Sequence, residues 1–225
     1  MKTLITTGCS YTNYSYKTWA DYLGDNFDKS INYGLPGSGP RYSFNKIFDF
    51  LKFNFNKDNE YTVIVQWSSL IRVDYRLNEK SLLSSDTKWS GGGQINNNSN
   101  FDKEYINKYF NVVDRAADLL QYIEHLTLLS KEYSFKLYML YMLEPWADKL
   151  LGEPCDIGEL SKFYTSFRSS KYFNELKRLY NTDFFISPSI EKFCLQNEER
   201  DFNVDLHPTT RQHQKYANMI LERYL

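Results

Sequence analysis

Short apolar runs of strand length alternate with stretches of helical periodicity, and this alternation constrains the fold more than any other feature of the chain. Residues 3–7, 30–33, 61–67 (YTVIVQW), 135–143 and 184–187 read as five strands. Between them, Tyr16, Trp19, Ala20, Leu23 and Phe27 share one helix face, and Phe44, Ile47, Phe48, Leu51 and Phe55 repeat the spacing. A longer helical pattern runs through Tyr109, Val113, Ala116, Ala117, Leu120, Ile123, Glu124 and Leu128, and residues 158–180 read as a further helix. Thr209 and Gln212 have capping-box spacing ahead of a last helix whose inner face is Tyr216, Ala217, Ile220, Leu221 and Tyr224. Strands alternating with helices imply an α/β fold: a parallel sheet, helices on both faces, right-handed crossovers. In such sheets ligands bind beyond the carboxyl ends of the strands. The positions to inspect are therefore GCSYT (8–12), GLPGSGP (34–40), QWSSLIR (66–72), EPW (144–146) and VDLHP (204–208).

A chain of 225 residues without an internal repeat fits one domain, 1–225. Residues 78–100 hold Gly91-Gly92-Gly93 and Asn96-Asn97-Asn98, a composition that predicts a flexible insertion or lid. Twenty-seven basic residues balance 28 acidic ones, so the chain lacks the charge footprint for nucleic acid or an anionic membrane. The N-terminal apolar run is too short for a signal peptide or a membrane span, and three cysteines without CxxC spacing read as reduced thiols, so the expected location is cytoplasmic. His125, His207, His213, Cys9, Cys155 and Cys194 show no short ligand spacing, and GLPGSGP lacks both the GxxxxGK[ST] and GxGxxG patterns. Neither a metal nor a cofactor is expected.

Ser10 follows the first strand through Gly8 and Cys9 and precedes a helical pattern, which puts it at the sheet edge near a helix N-terminus. There it is either a nucleophile, with its own N–H and the helix dipole facing a developing oxyanion, or a turn or N-cap residue. Pro208 biases His207 toward extended backbone, where residues two apart project to the same side, so Asp205 is placed to orient the His207 ring. His207 then reads as a general base or as a loop residue capping the last helix. Gly37 allows close backbone approach to a ligand. Cys9 is an alternative nucleophile, but two neighbours on one turn point opposite ways and only one can face His207. Arg72 reads either as a clamp for a substrate carboxylate or phosphate or as a solvated arginine, and Tyr11, Trp67, Trp89 and Trp146 include candidate stacking rings, most of the aromatic set reading as core or boundary residues with a polar tip toward water. His213 falls on the apolar face of the last helix and reads as packed, His125 as a surface or boundary residue.

Taken together, Gly8-Cys9-Ser10 after the first strand, the loop glycine in 32–39, VIVQWSS, and Asp205-x-His207-Pro208 before the last helix resemble the SGNH/GDSL hydrolase family. The closest likeness is to small GCS-type members such as those found in phage genomes. The resemblance spans nearly the whole chain and implies a three-layer α/β/α sandwich with a flavodoxin-like parallel sheet of about five strands. It implies a serine-dependent esterase or acyl hydrolase acting on acyl esters, acetyl among them, of a carbohydrate or small molecule. Ser10 would be the nucleophile, His207 the base and Asp205 the orienting acid, with the N–H groups of Ser10 and Gly37 as the oxyanion hole; Tyr11, Trp67 and Arg72, from their place near strand ends, are the substrate contacts expected beside them. Three departures stand out: Cys9 replaces the Asp of GDS, Asp205 is two rather than three residues before the histidine, and Gln66-Trp67-Ser68-Ser69 lacks the Asn of the third block. Either Ser68 or Ser69 supplies a hydroxyl in its place, or the side-chain donor is missing. The alternative is a binding or virion-associated module that keeps the scaffold with weak or no catalysis.

Overall fold

The structure is a computed structural model and describes residues 1–76, 89–94, 110–145, 165–196 and 207–225. Strands β1 (Lys2–Thr7), β2 (Lys29–Asn32), β3 (Glu60–Trp67) and β6 (Lys136–Tyr141) form one parallel sheet in the order β2-β1-β3-β6. A fifth position is filled by Phe185, which makes a single parallel bridge to Met139; the expected strand at 184–187 is reduced to this contact. The order reverses between β1 and β3, and their registered ends, Thr7 beside Val65, mark the switch point where an open α/β sheet opens a crevice.

Alternation along the strands produces the three layers. Leu4, Ile64 and Leu140 point to one face, where they pack with Trp19, Leu23, Tyr216 and Ile220 from helices α1 (Trp19–Gly24) and α6 (Thr210–Tyr224). Ile5, Val63, Val65 and Met139 point to the other, against Ile47 and Leu51 of α2 (Pro40–Phe53) and Ala116, Leu119 and Ile123 of α3 (Val112–Glu132). β3 is buried along all but its first residue, as a strand covered on both faces must be. Helices α4 (Lys171–Tyr180) and α5 (Ile190–Gln196) complete the described set. Among the described residues no helix is long and apolar enough to cross a membrane.

Further sequence expectations change. The helix expected over 158–180 is interrupted at Ser170, whose hydroxyl accepts the Phe173 N–H at 3.3 Å and starts α4 at Lys171. The helical spacing from Tyr16 to Phe27 overstates α1, because the Asp21 carboxylate reaches back to the Thr18 N–H at 2.8 Å and starts the helix at Trp19. Tyr14 and Tyr16 are thereby left in the preceding loop. Within the stretch read as an insertion, residues 89–94 form strand β5 (Trp89–Gln94), paired antiparallel with β4 (Arg72–Arg76). Trp89 anchors it: the residue is 4% exposed and its ring meets Tyr42 edge-on at 5.9 Å, which holds this strand against α2. Residues 78–88, 95–100 and 158–164, and Trp146, lie outside the described residues.

Candidate active site

Gly8 ends β1 and turns the chain into the site. A Cβ there would stand 2.2 Å from Thr12 Oγ1 and 2.7 Å from Gln66 Cβ, so only glycine lets the two strands' ends and the next turn close together. The turn is sealed by Thr12 and Asn13 N–H donating to the Cys9 carbonyl. Ser10 therefore sits on a single isolated turn and not at the N-terminus of α1, which begins nine residues later, so any dipole effect at Ser10 comes from that turn.

The Gly8 carbonyl accepts both the Leu35 N–H and the Ser38 hydroxyl, each at 2.9 Å. This ties the second loop to the strand that leads to Ser10. Within that loop the Ser38 N–H returns to the Leu35 carbonyl at 3.0 Å around Pro36-Gly37, and Gly37 has φ 78°. Proline followed by glycine at positive φ is the pattern of a type II turn, so the sequence dictates this backbone. Asn13 Nδ2 donates to the Gly34 carbonyl and Asn32 Nδ2 to the Thr12 carbonyl, stitching the two loops along their length.

His207 enters from the opposite side. Thr209 and Gln212 make the expected capping box at the start of α6, which sets the angle at which residues 207–208 leave the helix. His207 Nε2 lies 2.7 Å from Ser10 Oγ, and Ser10 is only 5% exposed. Tyr14 lies flat on the imidazole, with ring centroids 4.4 Å apart at 13°, and Tyr11 approaches from another direction at 5.2 Å. The Tyr16 hydroxyl donates to the Pro208 carbonyl at 2.8 Å. Three tyrosines of the first loop thus hold the histidine segment. Burial pushes the Tyr11 phenol far above its ordinary 10, with Glu191 adding in the same direction, so this ring is a neutral wall and donor.

The remaining sequence candidates fall as follows. Cys9 is fully buried, its thiol 3.3 Å from both Gln66 Oε1 and Met142 Sδ, so of the two neighbours Ser10 is the one on His207. Trp67 is corrected: it occupies the α2/α3 face of β3, wholly buried with its indole N–H on Met139 Sδ, and presents no surface to a substrate. Ser68 directs its hydroxyl to the Ser38 carbonyl at 2.9 Å, and Ser69 Oγ accepts the Ile71 N–H, so both shape loops. The one hydroxyl proton of Ser68 is engaged and is not a free oxyanion donor. Arg72 is half-buried, with Nη1 3.4 Å from the Ser38 carbonyl. His213 is fully buried; its Nδ1 accepts the Trp19 N–H, and burial, helped by the nearby His207, pushes it down to about 3, which keeps it neutral and out of proton transfer. Asp205 lies outside the described residues. Sequence reasoning missed Tyr14, Tyr16 and Gln66. Gln66 braces the Ser10 turn by accepting from Thr12 Oγ1 at 2.9 Å and from Cys9, and the one polar side chain in the run YTVIVQW was its signal.

No protein-family model matches the chain, and no curated protein matches it. Solved structures do. A member of the lipolytic G-D-S-L family from Veillonella parvula is similar at 13% identity and TM-score 0.51, covering 99% of this chain and 97% of that one. A mutant of Axe2, an acetyl-xylooligosaccharide esterase from Geobacillus stearothermophilus, is similar at 11% identity and TM-score 0.51, covering 99% and 93%. An alpha/beta hydrolase enzyme from the metagenome of Lake Arreo is similar at 11% and 0.51, covering 99% and 94%. The fold is that of the SGNH/GDSL hydrolases, a parallel sheet between helical layers.

Proposed function

We propose that the protein is a serine-dependent carboxylic-ester hydrolase. The observation that carries this reading is the 2.7 Å contact between Ser10 Oγ and His207 Nε2, the serine turn braced at the Cys9 carbonyl and the histidine segment at the Pro208 carbonyl. His207 takes the Ser10 proton as Oγ attacks the ester carbonyl, and the negative charge that develops on the carbonyl oxygen is met by the N–H groups of Ser10 and Gly37. His207 then returns the proton to the departing alcohol, leaving an acyl-serine. Water, deprotonated by His207, releases the carboxylic acid and restores Ser10. Asp205 is the acid assigned to orient the imidazole, from its place two residues earlier in an extended X-Pro segment. Tyr14 faces the imidazolium formed in each step, where an aromatic face favours a cation.

The engaged Ser68 hydroxyl favours a two-donor hole and hence slow turnover, since loss of one donor costs about 10²–10³ in rate. The substrate assigned is a short acyl ester, acetyl in the first instance, on a carbohydrate or small molecule; the acetyl-xylooligosaccharide esterase among the structural neighbours supports that choice. A fluorophosphonate probe is expected to modify Ser10, and Ser10→Ala and His207→Ala are each expected to abolish release of p-nitrophenol from the acetate while keeping the wild-type circular dichroism. Undiminished hydrolysis by Ser10→Ala would exclude the assignment. If the wild type resists the probe yet binds a glycan tightly, the scaffold serves binding instead.

A further inference from the structure

A cavity of about 220 Å³ lies beside the loop that carries Gly37, between the start of α2, β4 and α3. Arg41, Arg72 and Arg115 line it, together with Asp74, Asp118 and Tyr122. Arg41 and Arg115 act on the Asp74 carboxylate through space, but among the described residues no arginine forms an ion pair with it. Asp74 is buried and accepts the N–H groups of Gly39 and Tyr42, so it caps α2 from a neighbouring strand. Asp118 meets Arg115 only at 3.7 Å, an ion pair without a hydrogen bond.

The guanidinium donors are correspondingly under-used. Arg72 Nε is buried without a hydrogen-bond partner among the described residues, and its Nη1 makes one long contact of 3.4 Å to the Ser38 carbonyl. Arg41 is exposed and rests over the Trp89 ring at 6.0 Å, a contact that leaves its N–H groups free to turn inward. Planar, permanently charged forks with open donors match acceptor-rich planar or tetrahedral anions, which they bind in pairs of parallel hydrogen bonds. We propose that this cavity is a binding site for a small oxyanion group, a carboxylate or a phosphate, held chiefly by Arg72 and Arg115 with Arg41 at its mouth. Because Arg72 also touches Ser38, the residue after Gly37, the site adjoins the oxyanion loop. It stands on its own lining and does not depend on the esterase reading.

The test is titration calorimetry with inorganic phosphate and, separately, with succinate, at constant ionic strength set by sodium chloride. Wild type and Ser10→Ala are expected to show the same single saturable site for at least one of the two anions. Arg72→Gln and Arg115→Gln, each checked for an unchanged melting curve, are expected to bind about tenfold more weakly, the effect of losing one charge-assisted contact. Phosphate-only or succinate-only binding tells the two anion types apart. Absence of a saturable site in wild type, or wild-type affinity in both arginine variants, overturns the proposal. The Ser10→Ala arm keeps it separate from catalysis: a protein that fails to hydrolyse any ester still reports on this cavity.

Discussion

Replacing Tyr14 with leucine removes the face on which His207 lies while leaving a side chain of similar bulk. The rings are 4.4 Å apart and nearly parallel at 13°, the geometry in which the π cloud meets a ring cation face-on. Both residues are half-buried, so the interaction with the imidazolium falls between the values for exposed and desolvated pairs, about 1 kcal/mol. That energy is realised only when His207 carries the proton, in the transition states proposed for acylation and deacylation, and corresponds to about fivefold in rate. Pre-steady-state release of p-nitrophenol measures acylation directly. Tyr14→Leu should slow the burst about fivefold with the KM for the ester little changed, whereas Tyr14→Phe, which keeps the aromatic face, should stay near wild type. A Tyr14→Leu enzyme as fast as wild type would refute the reasoning, and so would a Tyr14→Phe enzyme as slow as Tyr14→Leu.

Gly8→Ala should lower stability by more than about 2 kcal/mol and reduce hydrolysis further, because the new Cβ would stand 2.2 Å from Thr12 Oγ1; an unchanged denaturation midpoint would contradict this. Ser68→Ala leaves the Ser38 carbonyl with only the long Arg72 contact and loosens the Gly37 loop, so kcat should fall about tenfold while stability drops by about 1 kcal/mol, the worth of the removed bond; an unaltered kcat would show that the strut is dispensable. His213 gives a pH dependence. Its folded value of about 3 lies below the ordinary 6.5, so between these values the unfolded chain binds the proton that the folded chain refuses. Stability is fully present above about pH 6.5 and is lost as pH falls toward 3, by several kcal/mol in all. Urea midpoints at about pH 7 and about pH 4.5 should differ more for wild type than for His213→Gln, and equal differences would count against the assignment.

What the sequence determined by itself rests on interactions between near neighbours. Apolar periodicity located the four strands of the parallel sheet and the helices α1, α2, α3 and α6 but not β4, β5 or α5, and the alternation Leu4/Ile5 and Val63/Ile64/Val65 already encoded two covered faces of one parallel sheet. Local rules also fixed the Pro36-Gly37 turn and the Thr209/Gln212 capping box. Ser10 and His207 were legible as candidates because each stands just outside a regular element at the carboxyl edge. Their meeting at 2.7 Å, across 197 positions of sequence, was decided by tertiary structure: the sheet order places β1 at the switch point and packs α1 against α6, and that packing brings the histidine loop over the serine turn. The same long-range packing decided what no spacing predicts. It buried Trp67 in the core, turned Cys9 inward to Gln66 and Met142, engaged the Ser68 hydroxyl on Ser38, and laid Tyr14 on the imidazole. A side chain's partner depends on which distant element faces it, and local periodicity carries only the face on which it stands.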